Sequence, residues 1–271
     1  MTTDAWLKQS QAVLTTAGIQ TSRLDCLVLL EDCLTIDRSQ ILANLDLDIP
    51  SNKLSKLEKL LSLRTKHMPL AYLRGKSEFY GRDFVVSPAV LIPRPESEAI
   101  IDLLKDLAQE LGTDKIIRIA DVGCGSGALG ITAAKEIRNS KVELLDIDDS
   151  ALNIAKLNVD LLTADISVVK SDLLSMASPD NTVLLCNLPY VPDNYPINTA
   201  ARHEPNIALY GGADGLDLYR RLFNQIKNMQ PKPLFILSEA FPAQHSEILN
   251  LAIECGYKLR KTVDFIQLFA Y

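Results

Sequence analysis

The sequence predicts an α/β protein: a doubly wound, mostly parallel sheet preceded by a small helical domain and a β-hairpin. Three observations carry this. From residue 115 onward, short apolar runs alternate with helical patterns, the arrangement that builds a parallel sheet covered on both faces. The first 74 residues show helical apolar spacing and no strong strand pattern. A glycine-rich run, Asp121-Val122-Gly123-Cys124-Gly125-Ser126-Gly127, follows the first expected strand and opens a helix, where parallel folds place a ligand-binding turn.

In the helical part, residues 22–34 carry Leu24, Leu27, Val28 and Leu34 at helical spacing, and Ser22-x-x-Asp25 reads as a capping box. Residues 37–45 suit a short helix. Pro50-Ser51 opens another, with Leu54, Leu57, Leu60, Leu61 and Arg64 in line. Small helical units of this kind bind or orient partners more often than they do chemistry. Residues 72–95 change character, because Phe79, Tyr80, Phe84, Val85 and Val86 surround Gly81-Arg82 and suggest a hairpin. Pro93 and Pro95 then fence off a helix over 96–111. Strands are expected over 116–122, 142–147, 166–170, 182–186 and 234–239, and helices over 127–137, 150–162, 216–229 and 243–255. The β-rich tail, 258–271, is expected to add an antiparallel strand or hairpin at the sheet edge.

Bulk properties bound the function. A chain of 271 residues holds one large domain or a medium and a small one, and 47% hydrophobic residues suffice for a core. A net charge of -6 argues against a general nucleic-acid binder. The five cysteines lack CxxC pairing and the three histidines are scattered, so reduced thiols in a cytoplasmic protein are expected, with no metal site. The first residues lack the basic-then-apolar pattern of a secretory signal. No apolar run approaches the roughly 20 residues needed to span a bilayer.

Two segments carry the chemistry. The first is the glycine loop with Asp146, which ends the second expected strand and suits a carboxylate accepting both hydroxyls of a ribose. Gly125-Ser126-Gly127-Ala128-Leu129-Gly130 satisfies the dinucleotide fingerprint G-x-G-x-x-G. The five-residue G-x-G-x-G from Gly123, preceded by Asp121, looks more like the loop of S-adenosylmethionine enzymes. Asp172, ending the third strand, is a candidate for an adenine amino group or for a turn cap. The second segment is Asn187-Leu188-Pro189-Tyr190 at the end of the fourth strand. It brings a side-chain amide, a stiff turn and an aromatic face together, a set suited to gripping a planar NH2 group. Arg94 suits a linker lock or a substrate contact. His203 and Glu204 are adjacent and suit fixing a loop rather than acid–base work. Cys124 and Cys186 suit small packing side chains.

These segments, with others, resemble the peptide chain release factor glutamine methyltransferases (the PrmC/HemK family). The likeness runs through Ser22-Arg23-Leu24-Asp25, Gln40-Ile41-Leu42-Ala43-Asn44 and Pro69-Leu70-Ala71-Tyr72-Leu73-Arg74-Gly75. It continues through Glu78-Phe79-Tyr80-Gly81, the distinctive Val90-Leu91-Ile92-Pro93-Arg94-Pro95-Glu96-Ser97-Glu98, Glu204-Pro205 and Asp214-Gly215-Leu216. The resemblance implies a Rossmann-like, S-adenosylmethionine-dependent methyltransferase domain over 93–271, a β-hairpin linker over 75–92 and a helical substrate-recognition domain over 1–74. It implies methyl transfer to the side-chain nitrogen of the glutamine in the Gly-Gly-Gln motif of release factors, by a cytoplasmic monomer. Carried over by position, Gly123, Cys124, Gly125, Ser126, Gly127, Asp146, Asp172 and Leu173 hold the cofactor. Asn187 touches both cofactor and substrate, and Asn187, Leu188, Pro189 and Tyr190 form the glutamine site, with Tyr190 stacking on the flat amide. Three departures stand out: Leu188 replaces the usual first proline of Asn-Pro-Pro-Tyr, Phe241 stands where the family has glycine, and the tail between the last two strands is short. Asn-Leu-Pro-Tyr also occurs in rRNA adenine dimethyltransferases, so an adenine-N6 or cytosine-N4 nucleic-acid methyltransferase is the alternative.

Overall fold

The computed structural model describes residues 1–112 and 115–271, which divide into two compact units. One comprises Met1–Gly75 with Ile197–His203, the other Lys76–Pro196 with Glu204–Tyr271.

The first unit is built from α1 (Thr3–Thr16), α2 (Ser22–Leu34), α3 (Arg38–Ala43), α4 (Ser51–Arg64) and α5 (Leu70–Arg74). They enclose their own core of Trp6, Leu14, Leu30, Ile41 and Leu57. The expected capping box at Ser22 does not form. Asp25 is buried and takes the Arg64 Nε at 2.6 Å, tying α2 to the end of α4, while the Ser22 hydroxyl meets that of Thr15 at 2.9 Å. A buried carboxylate needs a partner more than a helix end needs a cap. Leu24, expected on the apolar face, is 45% exposed. Residues 70–74 form α5, closed by Gly75 in the left-handed region.

The second unit opens with the hairpin β1 (Lys76–Phe79) and β2 (Arg82–Val85), whose buried Phe79 and Phe84 enter the core below it. A 3-10 turn (Pro95–Ser97) then leads into α6 (Glu98–Leu111). The sheet strands are β3 (Ile117–Val122), β4 (Ser140–Asp146), β5 (Ile166–Lys170), β6 (Val183–Cys186), β7 (Phe235–Glu239), β8 (Lys258–Val263) and β9 (Ile266–Ala270). Between them run α7 (Ala128–Glu136), α8 (Asp149–Leu161), α9 (Asp217–Lys227) and α10 (His245–Glu254). The strand order is β5-β4-β3-β6-β7-β9-β8, with β3 to β7 parallel and β9 antiparallel to both its neighbours.

Each face of the sheet has its own layer. Ile119, Leu144 and Leu185 pack with α6, α7 and α8, whereas Ala120, Leu184 and Ile236 pack with α9 and α10. The central β6, Val-Leu-Leu-Cys, is buried along its whole length, as a parallel strand covered on both faces requires. In α9, Tyr219, Leu222, Phe223 and Ile226 recur at helical spacing and bury one stripe. The β-rich tail forms the edge hairpin β8–β9, turned in two residues, with Asp264 at φ 48°. The chain direction across the sheet reverses between β3 and β6, so a crevice opens at their carboxyl ends. Among the described residues, no helix is long and apolar enough to cross a membrane.

Candidate active site

A cleft of about 250 Å³ lies at that crevice. Gly123, Cys124, Gly125, Ser126, Asp146, Asp172, Leu173, Asn187, Leu188 and Pro189 all line it, together with Asp121, Arg94 and Ser97. Gly127 and Tyr190 do not line it.

The glycine loop is held from three sides. Gly123 and Cys124 donate backbone N–H groups to the Leu145 carbonyl at 2.8 and 2.9 Å. Gly127, at φ 79°, starts α7, and a Cβ there would come within 2.9 Å of Leu144 Cδ1. Asn158 on α8, fully buried, donates from Nδ2 to Ser126 O at 2.9 Å. The same side chain accepts from Val85 N at 2.7 Å and donates to Val85 O at 3.0 Å, so it also anchors the end of β2. Gly130, which completed the dinucleotide fingerprint, lies inside α7. There its N–H donates to Asp121 Oδ2 at 2.8 Å, and it does not line the cleft.

The acidic groups differ in environment. Asp146 ends β4; its Oδ2 accepts from Gly125 N and its Oδ1 from Asp148 N, each at 2.9 Å. Burial raises its pKa, and these backbone bonds oppose the rise. A carboxylate has about four acceptor positions, so capacity for a ribose diol remains. Asp121 is deeper. Burial, with help from Asp146 and against the Gly130 hydrogen bond, pushes its pKa up to about 7. Asp172 is half exposed and pairs with Arg221 at 2.5 Å. Leu173 sits in the left-handed region at φ 53°, with Ser171 Oγ donating to its carbonyl at 2.7 Å. Non-glycine residues held in that region gather at ligand sites. Burial drives the Cys124 thiol well above its ordinary range, which leaves it inert.

The Asn187–Tyr190 turn is clamped by the segment that follows it. Val191 N donates to Leu209 O at 2.9 Å and Gly211 N to Val191 O at 3.0 Å. A Cβ on Gly215 would collide with the Tyr190 carbonyl, which also takes Gln244 Nε2 at 2.8 Å. Leu188 is buried, and its Cδ2 packs against Gly123, so the substituted side chain joins the two loops. Asn187 Nδ2 donates to Ser97 Oγ at 2.9 Å. The Tyr190 ring packs edge-on against Phe241, with centroids 5.0 Å apart, and its hydroxyl donates to Glu239 Oε1 at 3.0 Å. Phe241, where the family has glycine, also stacks on Tyr195.

Arg94 pairs with the buried Glu204 at 2.6 Å, and Glu204 also accepts from Ile92 N at 3.1 Å, so this glutamate fixes the 92–94 segment. The His203 ring meets the Lys66 carbonyl at 2.9 Å, a structural contact. Sequence reasoning missed Ser97, Glu239 and Asn158. Two of them left a signal: Glu239 is a carboxylate closing a mostly apolar strand, and Ser97 lies in the distinctive 90–98 segment. Nothing local marks Asn158.

An open, mostly parallel sheet with a glycine loop, an acidic second strand end and an amide at the switch point is the architecture of Rossmann-like methyltransferases. Residues 100–203 match the methyltransferase small domain and residues 5–75 the PrmC N-terminal domain. The catalytic domain of human METTL16 shares the fold, with a TM-score of 0.55 at 15% identity over 83% of both chains. The N-terminal domain of human METTL16 in complex with SAH does so at 0.50 and 16%, over 83% of each chain. A release factor glutamine methyltransferase of Koribacter versatilis is 34% identical, covering 86% of this chain and 83% of its own. One from Bacillus subtilis is 31% identical, covering 92% and 88%. The chain belongs to the release factor glutamine methyltransferase family.

Proposed function

We infer that this protein transfers a methyl group from S-adenosylmethionine to the side-chain amide nitrogen (N5) of the glutamine in the Gly-Gly-Gln motif of peptide chain release factors. The observation that carries this reading is kinship with release factor glutamine methyltransferases along more than four-fifths of the chain. S-adenosylmethionine supplies an electrophilic methyl on a sulfonium.

The residues of the cleft suit that group. Asp146 keeps acceptor capacity for the ribose, Leu173 offers an apolar wall, and Asp172 stands at the end of β5 for an adenine amino group. Gly123, Cys124, Gly125 and Ser126 offer backbone close to the ligand, and Gly127 shapes the turn. An amide nitrogen is a poor nucleophile because its lone pair is delocalised into the carbonyl. Asn187 Oδ1 and the Leu188 carbonyl accept hydrogen bonds from the substrate NH2, which aims the nitrogen and stabilises the positive charge it gains. When bound, S-adenosylmethionine would supply the methyl, and the amide nitrogen held by Asn187 and the Leu188 carbonyl would shed its surplus proton to solvent afterwards. Pro189 disfavours helical geometry at Leu188 and stiffens the turn. Tyr190, braced by Glu239 and Phe241, walls the glutamine side.

On this reading the helical part, 1–74, recognises the release factor, 75–92 links, and 93–271 does the chemistry. The protein acts as a monomer in the cytoplasm, where translation terminates. The test is incubation with S-adenosylmethionine and an intact release factor, then peptide mass spectrometry. One methyl on the Gly-Gly-Gln glutamine is expected. Transfer instead to RNA or DNA in parallel reactions would replace this reading with amino-base methylation.

A further inference from the structure

Glu239 closes β7 with only 1% of its surface exposed, and no cation pairs with it among the described residues. A buried carboxylate is costly unless hydrogen-bonded, so its partners are informative. Ser97 Oγ lies 2.5 Å from Oε2 and the Tyr190 hydroxyl 3.0 Å from Oε1, and the Asn187 side chain also hydrogen-bonds this carboxylate; burial raises the Glu239 pKa and these three bonds oppose the rise, favouring the ionised form. An ionised carboxylate only accepts, and each hydroxyl has a single proton to give. Ser97 therefore spends its proton on Glu239 and presents only lone pairs to Asn187, 2.9 Å away. Asn187 can meet a lone pair only with its NH2. Its Oδ1 is then directed away from Ser97, and no donor among the described residues reaches it.

We propose that Ser97 and Glu239 are positioning residues that fix the rotation of the Asn187 side-chain amide, so that Oδ1, and not NH2, faces the substrate nitrogen. This rests on the methyltransferase reading above. The two ends of a primary amide have nearly the same shape, so packing alone discriminates weakly between the rotations. Hydrogen-bond polarity discriminates strongly, because NH2 facing NH2 leaves both without an acceptor. The polarity originates at Glu239, which does not line the cleft, and reaches Asn187 both directly and through Ser97, which does. Tyr219 steadies the source: its hydroxyl lies within hydrogen-bonding distance of the Cys186 and Glu239 carbonyls, bridging the ends of β6 and β7.

Glu239→Gln tests this because it preserves shape and replaces one accepting oxygen with a donor. One oxygen is then left for the Ser97, Tyr190 and Asn187 donors, and the Asn187 amide is no longer held in one rotation. In full-length protein with S-adenosylmethionine and an intact release factor, kcat is expected to fall on the order of 10²-fold, with S-adenosylmethionine Kd within about twofold of wild type. Ser97→Ala removes one of the two holds on the Asn187 NH2 and keeps Glu239, so a smaller loss of roughly tenfold is expected, again in kcat. A kcat for Glu239→Gln within about threefold of wild type overturns the inference. A second readout needs no turnover: side-chain NH2 hydrogen exchange of Asn187, its signals assigned by their loss in Asn187→Asp. Exchange is expected to be slowed in wild type and faster in Ser97→Ala, and equal rates overturn the inference. Should wild-type protein transfer no methyl to the release factor, the activity reading fails and the exchange rates alone decide the role of Ser97.

Discussion

At the scale of single residues, three carboxylates in and behind the cleft stand in three environments. Asp146 keeps acceptor capacity beside the glycine loop. Asp146→Ala is expected to weaken S-adenosylmethionine binding on the order of 10²-fold, since charge-assisted hydrogen bonds contribute about 1.5–3 kcal/mol each. Titration calorimetry checks it, and an unchanged Kd removes the ribose assignment. Asp121 is held by burial with a pKa of about 7, well above the 3.8 of an ordinary aspartate. Between those two values the folded protein keeps a proton that the unfolded chain has lost. This group's contribution to stability is therefore greatest at acid pH and declines as pH rises towards and through 7. Asp121→Asn keeps an acceptor for Gly130 and removes the titration. The melting temperature of ligand-free wild type is expected to fall more between pH 5 and pH 8, on the linkage just given, than that of Asp121→Asn. Parallel curves would show that Asp121 does not titrate there. Glu239, the third, was visible in the sequence only as a strand-ending acid; its hydroxyl partners come from positions 97 and 190.

At the scale of elements, the strands and helices of the second unit follow the expectations to within a few residues, because buried apolar runs and amphipathic stripes are local signals. The misses have a common cause. Asp25 reads as a cap and serves an ion pair with α4; Leu24 reads as inward and faces out. In each case a contact or a turn outside the local pattern decided the outcome. Asn158 makes the same point for the site. It reads as an ordinary helix residue, yet its one amide joins β2, the glycine loop and α8. Asn158→Ala strands three backbone groups, one buried at Ser126 and two part-buried at Val85. A loss of about 2–5 kcal/mol in unfolding free energy is expected, measured by denaturant titration, from about 1–3 kcal/mol for each unsatisfied group with partial rescue by water. A change below about 1 kcal/mol would mean that the loop holds itself.

At the scale of the molecule, each unit has a core of its own, so damage to one need not reach the other. The Arg64–Asp25 pair lies almost wholly buried inside the first unit. Asp25→Ala leaves an arginine without its carboxylate, and a cost of about 3–5 kcal/mol to that unit is expected. S-adenosylmethionine affinity should hold while transfer to an intact release factor falls, if the helical unit recognises the substrate. Scanning calorimetry with a binding titration separates the two effects; equal loss of both would tie the helical unit to the cofactor site. The sequence by itself determined the class of fold, the strand ends that carry Asp146 and Asn187, and the family, because these depend on periodicity and on short runs of residues adjacent in the chain. Only the tertiary structure decided which way the site faces internally: that Gly130 packs a helix, that Tyr190 leans on Phe241, and that Asn187 meets Glu239 directly and through Ser97. The hydrogen bonds among Ser97, Asn187, Tyr190 and Glu239 join residues 49 to 142 positions apart, and polarity between such partners exists only once the sheet has brought its strand ends together.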